Sequence, residues 1–122
     1  MVEFLVAPVP WTTTMGIKRL FEEANIDARV IGASKGDAAV KQLEKNNNYR
    51  AVIINWAEGG AAGLELACAV KELGECTVVA YQAEWNRDDL SRALQLGVDS
   101  ILHDPFTIDE LIGDLEALES DG

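Results

Sequence analysis

Short apolar runs alternate along the chain with longer segments that are apolar on one side only. The apolar runs lie at Glu3–Val9, Ala28–Ala33, Arg50–Trp56, Thr77–Tyr81 and Ser100–His103. The longer segments, with apolar residues every three or four positions, lie at Thr12–Ala24, Ser34–Lys45, Ala61–Leu73, Asn86–Leu96 and Thr107–Leu118. The first pattern is typical of buried strands and the second of amphipathic helices. The sequence therefore predicts a strand followed by a helix, five times over.

Local signals mark where several of these helices begin and end. Ser34, with Asp37 three residues later, indicates a helix N-cap, and Thr107 with Glu110 forms the capping-box pattern. Gly74 and Gly97 follow the third and fourth helices, where glycine commonly ends a helix. These signals support the helix positions that the apolar spacing predicts.

The strands are apolar on both faces instead of alternating, which indicates a parallel sheet covered by helices on both sides. We therefore expect an α/β protein with a doubly wound, five-stranded parallel sheet of the flavodoxin-like kind. The 122 residues suit one domain, which we place at residues 1–118, followed by an acidic tail at 119–122. In such a sheet the functional site is expected beyond the carboxyl ends of the strands.

Charge, hydropathy and cysteine content argue against several classes of function. Net charge is −11, which argues against direct nucleic-acid binding and against docking on anionic lipid. No apolar run approaches the length of a membrane span, and the N-terminus lacks the basic flank of a signal peptide. Cys68 and Cys76 form neither a zinc-ligand nor a redox CxxC pattern. We expect a cytoplasmic protein with reduced thiols, no metal and no cofactor.

Two segments resemble receiver domains of two-component response regulators. Asn55–Leu66, ending in Gly63-Leu64-Glu65-Leu66, resembles the end of their third strand, the following loop and the start of their third helix. Ala93–Phe106, ending in Asp104-Pro105-Phe106, resembles their fourth helix, fifth strand and the Pro-Phe that follows. The resemblance also implies a cis peptide bond before Pro105.

The working residues of that family are missing at every matching position. The paired magnesium-binding acids fall on Pro8 and Val9, and the phosphate-accepting aspartate falls on Asn55. The hydroxyl residue that ends the fourth strand falls on Gln82, and the lysine before proline falls on Asp104. The aromatic switch residue falls on Ile101. The resemblance therefore implies a pseudo-receiver that is not phosphorylated and is not an enzyme.

Such a domain is expected to signal or to act as a scaffold by binding a protein partner or a second copy of itself. In the family the common interaction surface is the fourth helix, fifth strand and fifth helix, which falls here at about Asn86–Leu118. All three tryptophans, Trp11, Trp56 and Trp85, fall in loops at the expected site. They either anchor a binding partner or cap the hydrophobic core. We expect Trp56 to be partly exposed to solvent. Asn55 and Gln82 either pair with each other or bond to nearby backbone groups or water.

A flavin or another small ligand is the alternative from a different class. Flavodoxins share this sheet and are acidic, and Thr12-Thr13-Thr14 resembles their hydroxyl-rich loop after the first strand. Trp56 or Trp85 would then stack on the ring of the ligand. The glycine spacing departs from the flavodoxin pattern, and this alternative leaves the two receiver-like segments unexplained.

Overall fold

A computed structural model describes residues 1–46, 48–56, 61–74 and 76–120 of the chain. Strands and helices alternate along it, as the sequence predicts. The strands are β1 (Val2–Ala7), β2 (Ala28–Gly32), β3 (Ala51–Asn55), β4 (Val78–Gln82) and β5 (Ser100–His103). The helices are α1 (Trp11–Glu23), α2 (Gly36–Lys45), α3 (Ala61–Leu73), α4 (Arg87–Gln95) and α5 (Ile108–Ser120).

The five strands form one parallel sheet in the order β2-β1-β3-β4-β5. This confirms the expected doubly wound architecture, in which the strand order reverses at β1. The reversal places the carboxyl ends of β1 and β3 next to each other, with Ala7 in register with Ile54. The end of β4 lies alongside, since Asn55 is in register with Tyr81. The residues that follow β1, β3 and β4 therefore lie close together at the carboxyl edge of the sheet.

The helices cover both faces of the sheet, and each face has its own core. On one face Ile17 and Phe21 of α1 and Leu111 of α5 pack on the sheet. On the other face α2, α3 and α4 supply Leu43, Leu66 and Ala93 respectively. Successive strand residues point to opposite faces, so strands buried on both sides need the continuous apolar runs seen in the sequence.

Of the two helix N-caps predicted from the sequence, one is confirmed and the other is wrong. Thr107 Oγ1 accepts a hydrogen bond from the Glu110 backbone N–H at 3.1 Å, so the predicted cap of α5 is confirmed. Ser34 does not cap α2, because the helix begins one residue later than expected and Lys35 occupies the N-cap position. Asp37 lies in the first turn of α2, where a negative charge stabilises the exposed N–H groups.

The C-terminal boundary also differs from the expected one. Helix α5 runs to Ser120, so Glu119 belongs to the helix and not to a tail that begins at 119. The Glu119 carboxylate pairs with Arg50, next to the start of β3. Residues 121 and 122 of the predicted tail lie outside the described residues. Among the helices that are described, none is long and apolar enough to cross a membrane.

Candidate functional site

The five positions named from the sequence lie around the carboxyl edge of the sheet. Pro8 and Val9 follow β1, Asn55 ends β3, Gln82 ends β4 and Asp104 follows β5. Backbone and side-chain contacts connect these segments. The Asn55 amide donates to the carbonyl of Pro8 at 3.4 Å, and the Asp104 backbone N–H donates to the carbonyl of Gln82 at 2.9 Å.

The two residues after β1 offer no side-chain oxygen to a cation. Val9 is buried and packs in the same core as Ile17 and Phe21, while Pro8 is half-buried. The Ala7–Pro8 peptide bond is cis, which the sequence did not predict. The bond before Pro105 is also cis, as the resemblance implied. Magnesium in proteins is usually held by one or two carboxylates, so this part of the edge lacks the chemistry for it.

Asn55 and Gln82 bond to different partners. Asn55 is half-buried and donates to a backbone carbonyl, whereas Gln82 is 8% exposed and its Nε2 donates to Asp89 Oδ2 at 3.2 Å. Alternation along the strands explains the difference. Asn55 continues the α1–α5 face of the sheet after Ile53, and Gln82 continues the opposite face after Ala80. No bond between the two amides is found among the described residues.

Asp104 brings a negative charge to the edge of the sheet beside a buried tyrosine. It borders a groove of about 280 Å³ between α1 and the β5–α5 turn, where Tyr81 and Phe106 form one wall. Burial, and secondarily the Asp104 carboxylate, raise the pKa of Tyr81 to about 12. The Tyr81 ring meets Phe106 edge-on at 5.2 Å between ring centroids. Tyr81 was not identified from the sequence as a site residue, because its position in an apolar strand is also typical of an ordinary core residue.

The three tryptophans have different environments. Trp11 is 74% exposed at the start of α1, whereas Trp56 is 1% exposed, so the expectation that Trp56 partly faces solvent is wrong. The rings of Trp56 and Trp85 lie 5.8 Å apart between centroids, and the Trp85 indole N–H donates to the Leu102 carbonyl at 2.9 Å. Gly63 explains the burial, because a Cβ there would lie 3.0 Å from the Trp56 ring.

Ile101 lies at the family's switch position and is half-buried in the middle of β5. It packs against the core on the α2–α3–α4 face. It also forms the floor of a groove between α4 and α5, together with Leu94 and Leu118. The face predicted from the resemblance therefore contains an apolar depression.

The hydroxyl-rich segment of the flavin alternative is helical. Thr12, Thr13 and Thr14 lie in the first turn of α1 and not in a loop. The Thr14 hydroxyl is buried against Gly32, where a Cβ would lie only 1.9 Å from it. Nothing among the described residues favours a flavin.

A metal site of the protein's own is not seen in the described part of the chain. No group of three or more histidine, cysteine, aspartate or glutamate side chains in residues 1–46, 48–56, 61–74 and 76–120 could hold an ion. Glu58, three positions after Asn55 in the sequence, lies outside the described residues.

The sheet order and its edge define a flavodoxin-like α/β protein of the receiver type. A response regulator receiver domain protein from Clostridium thermocellum has the same fold, with a TM-score of 0.83 and 20% identity over 99% of this chain and 96% of that one. A two-component response regulator from Clostridium difficile gives 0.81 and 17%, covering 98% and 97%. The Francisella response regulator 1452 receiver domain gives 0.76 and 27%, covering 99% and 98%.

The family model for the response regulator receiver domain matches residues 12–116. The chain therefore belongs to the response regulator receiver domain family. The match begins after β1, the strand whose end carries Pro8 and Val9. No curated protein is similar enough in sequence to count as a relative.

Proposed function

We propose that this receiver domain signals, or acts as a scaffold, by binding another protein and without accepting a phosphoryl group. One observation carries the proposal. The acceptor position is the amide of Asn55, hydrogen-bonded to the carbonyl of Pro8, and the two residues after β1 supply no carboxylate. Signalling by this domain then depends on a protein-binding surface and not on phosphoryl transfer at the carboxyl edge of the sheet.

The chemistry of phosphoryl transfer supports this proposal. An amide is a poor nucleophile and forms no acyl phosphate, and the transfer depends almost entirely on charges placed around the phosphoryl group. The exposed carboxylate of Asp104 follows β5, where the family has a lysine. A phosphoryl group at Asn55 would be repelled by this negative charge, with no paired acids after β1 to hold a neutralising cation.

Contacts around α4 support a domain held in one arrangement. Gln82 donates to Asp89 in the first turn of α4, and the Asn86 side chain accepts from the Asp89 backbone N–H at 2.8 Å. Trp85, between them, donates to the carbonyl of Leu102 in β5. The bonds of Gln82 and Trp85 tie the start of α4 to β4 and β5 without any phosphate, and the Asn86 bond caps the helix.

We place the binding surface on α4, β5 and α5. Leu90 and Leu94 are 37% and 55% exposed and lie one turn apart on α4, and Leu94 borders the groove between α4 and α5. Exposed leucines beside an apolar groove are typical of a protein-binding surface. The partner and the cytoplasmic location stay predictions.

Intact-mass spectrometry tests the proposal directly. The wild-type protein is incubated with Mg²⁺ and acetyl phosphate, beside a receiver domain that retains its aspartate as a positive control. We expect no phosphoryl adduct on the wild type, and none on Asn55→Asp, because the cation ligands after β1 are still missing. A phosphoryl adduct on the wild-type chain would refute the proposal.

Tryptophan fluorescence gives a second readout on the same samples. Trp56 follows Asn55 directly and its ring lies beside that of Trp85, so a ligand at the edge of the sheet would change its emission. We expect Mg²⁺ and then beryllofluoride, a phosphoryl mimic, to leave the spectrum unchanged. A saturable change would mean that the site still binds a cation and a phosphate mimic.

A further inference from the structure

We propose that the groove between α4, β5 and α5 binds a basic amphipathic segment of the partner, with apolar side chains in the groove and lysine or arginine beside α5. The inference rests on the proposed function, because it assumes that the domain acts by binding a protein. It adds the chemical class of the partner, which the family membership does not give.

The floor of the groove is apolar and open to solvent. Its volume is about 350 Å³, and Leu94, Ile101 and Leu118 are the large apolar residues of its lining. Leu94 is 55% exposed, and Ile101 and Leu118 are half-buried. Covering these side chains with apolar groups of a partner would remove them from water, which favours association.

Asp114 places a fixed carboxylate in the same groove. Asp114 belongs to α5, and the Ser100 hydroxyl of β5 donates to its Oδ2 at 2.6 Å, so the side chain is held against β5. Asp99, which also lines the groove, has its charge compensated by Lys71 Nζ at 2.9 Å. For Asp114, no cation lies within ion-pair distance among the residues that the structure describes. A lysine or arginine of a partner can supply the missing positive charge.

The rest of α5 adds to the negative potential. Its sequence contains five acids and no lysine or arginine: Asp109, Glu110, Asp114, Glu116 and Glu119. Of these, Glu119 has Arg50 as an ion-pair partner. A cationic segment would therefore be attracted along α5, and an anionic one would be repelled.

A second copy of the chain fits this groove less well. A two-fold interface on this face would bring together two α5 helices, each acidic over its whole length. Two chains of net charge −11 also repel each other before contact. A partner helix with apolar residues at helical spacing would match the apolar floor of the groove. Lysine or arginine on one side of that helix would match the acidic wall formed by α5.

Two synthetic amphipathic helical peptides with the same leucine stripe, one flanked by lysines and the other by glutamates, serve as probes. Fluorescence anisotropy measures their binding to the wild type and to two matched variants, Leu94→Lys in the groove and Leu73→Lys on α3, where Leu73 is 39% exposed. We expect the lysine peptide to bind, and Leu94→Lys to weaken it by about tenfold or more. Leu73→Lys changes the charge equally and should alter the affinity less than about twofold.

A second pair of variants tests the carboxylate. Asp114→Asn removes one charge but can still accept the Ser100 hydroxyl, whereas Glu65→Gln removes one charge from the exposed surface of α3. We expect only Asp114→Asn to weaken the lysine peptide, by about fivefold. Urea unfolding of each variant confirms that the fold is intact.

Four results would overturn the inference. These are equal binding of the glutamate peptide, no binding of either peptide, equal weakening by both lysine variants, and a dimer in sedimentation that Leu94→Lys dissociates. None of them refutes the proposed function, which fails separately if the wild type takes up a phosphoryl group in the mass assay.

Discussion

Gly63 and Gly16 are both glycines within helices, but a side chain at the two positions would meet different surroundings. A Cβ at Gly63 would lie 3.0 Å from Cε3 of the buried Trp56 ring, whereas a Cβ at Gly16 would meet nothing within 4 Å. The Trp56 ring is buried and lies beside the Trp85 ring. We therefore expect Gly63→Ala to lower the free energy of unfolding by about 1–2 kcal/mol through overpacking.

Gly16→Ala is the matched control, and it should raise the free energy of unfolding by about 0.5–1 kcal/mol because alanine is the better residue inside a helix. Urea unfolding followed by tryptophan fluorescence measures both variants. If Gly63→Ala were as stabilising as Gly16→Ala, the close contact between α3 and the Trp56 ring would not exist in solution.

Tyr81 makes stability depend on pH in the alkaline range. Its pKa is about 12 in the folded protein because of burial and the nearby Asp104, against 10.0 for an ordinary tyrosine. The raised pKa means that the folded state keeps its proton where the unfolded state has lost it. Tyr81 therefore has no effect on stability below about pH 10, and the free energy of unfolding falls as the pH rises from about 10 to about 12.

Urea unfolding of the wild type and Tyr81→Phe at several alkaline pH values isolates this effect, since the two proteins differ only in the Tyr81 hydroxyl. We expect a difference of about 1–2 kcal/mol to develop across the window. This is less than the full value of the shift, because the groove beside Tyr81 is open to water. Parallel pH curves for the two proteins would show that the Tyr81 hydroxyl titrates as it does in the unfolded chain.

At the scale of elements, a side-chain contact between Gln82 and Asp89 joins the end of β4 to the first turn of α4. Gln82 is 8% exposed and donates to Asp89 at 3.2 Å. Gln82→Glu has almost the same shape but places two carboxylates at hydrogen-bond distance in a poorly solvated position. We expect it to lower the free energy of unfolding by about 2 kcal/mol at neutral pH.

Adding Asp89→Asn to Gln82→Glu should recover at least half of that loss, because the pair again has one donor and one acceptor. Asp89→Asn alone serves as the control and removes one favourable charge from the first turn of α4, at a cost of about 0.5 kcal/mol. Chemical denaturation of the four proteins completes the double-mutant cycle. Strictly additive effects would mean that the two side chains do not interact in solution.

The order of the elements could be predicted because apolar spacing differs so clearly between buried strands and amphipathic helices. Helix α3 and strand β5 have the predicted bounds, and most other boundaries differ by one or two residues. The N-cap of α2 was wrong, because sequence alone does not say which of Ser34 and Lys35 has the extended backbone before the first turn. The C-terminus of α5 was predicted too early, because its pairing with Arg50 is a long-range contact.

The candidate site was predicted in position but not in its contacts. Sheet topology alone places Pro8, Asn55, Gln82 and Asp104 at one edge, so their proximity follows from the order of the strands. The bond from Gln82 to Asp89 depends on how α4 is placed, and the burial of Trp56 depends on the missing side chain at Gly63. These are properties of packing, which the spacing of apolar residues does not specify.

At the scale of the whole molecule, fixed negative charge is the dominant electrostatic property. The chain has 21 acids and 10 lysines and arginines, and three ion pairs are formed among the described residues. All three pairs are partly exposed, and such pairs contribute little to stability. With about twice as many acids as bases, repulsion therefore outweighs the attractions, and it is strongest along α5, whose own sequence has no lysine or arginine.

Because salt screens repulsion and attraction alike, its net effect shows which of them is larger. Raising potassium chloride from about 0.01 M to about 0.1 M shortens the Debye length from about 30 Å to about 10 Å. We expect the midpoint of urea unfolding to rise over this range. In a variant with Asp109→Asn and Asp114→Asn, which removes two charges from α5, the rise should be smaller. A midpoint that fell with salt would mean that the ion pairs Lys71–Asp99, Arg29–Glu3 and Arg50–Glu119 dominate. The acidity of α5 would then contribute to binding with little effect on the stability of the isolated domain.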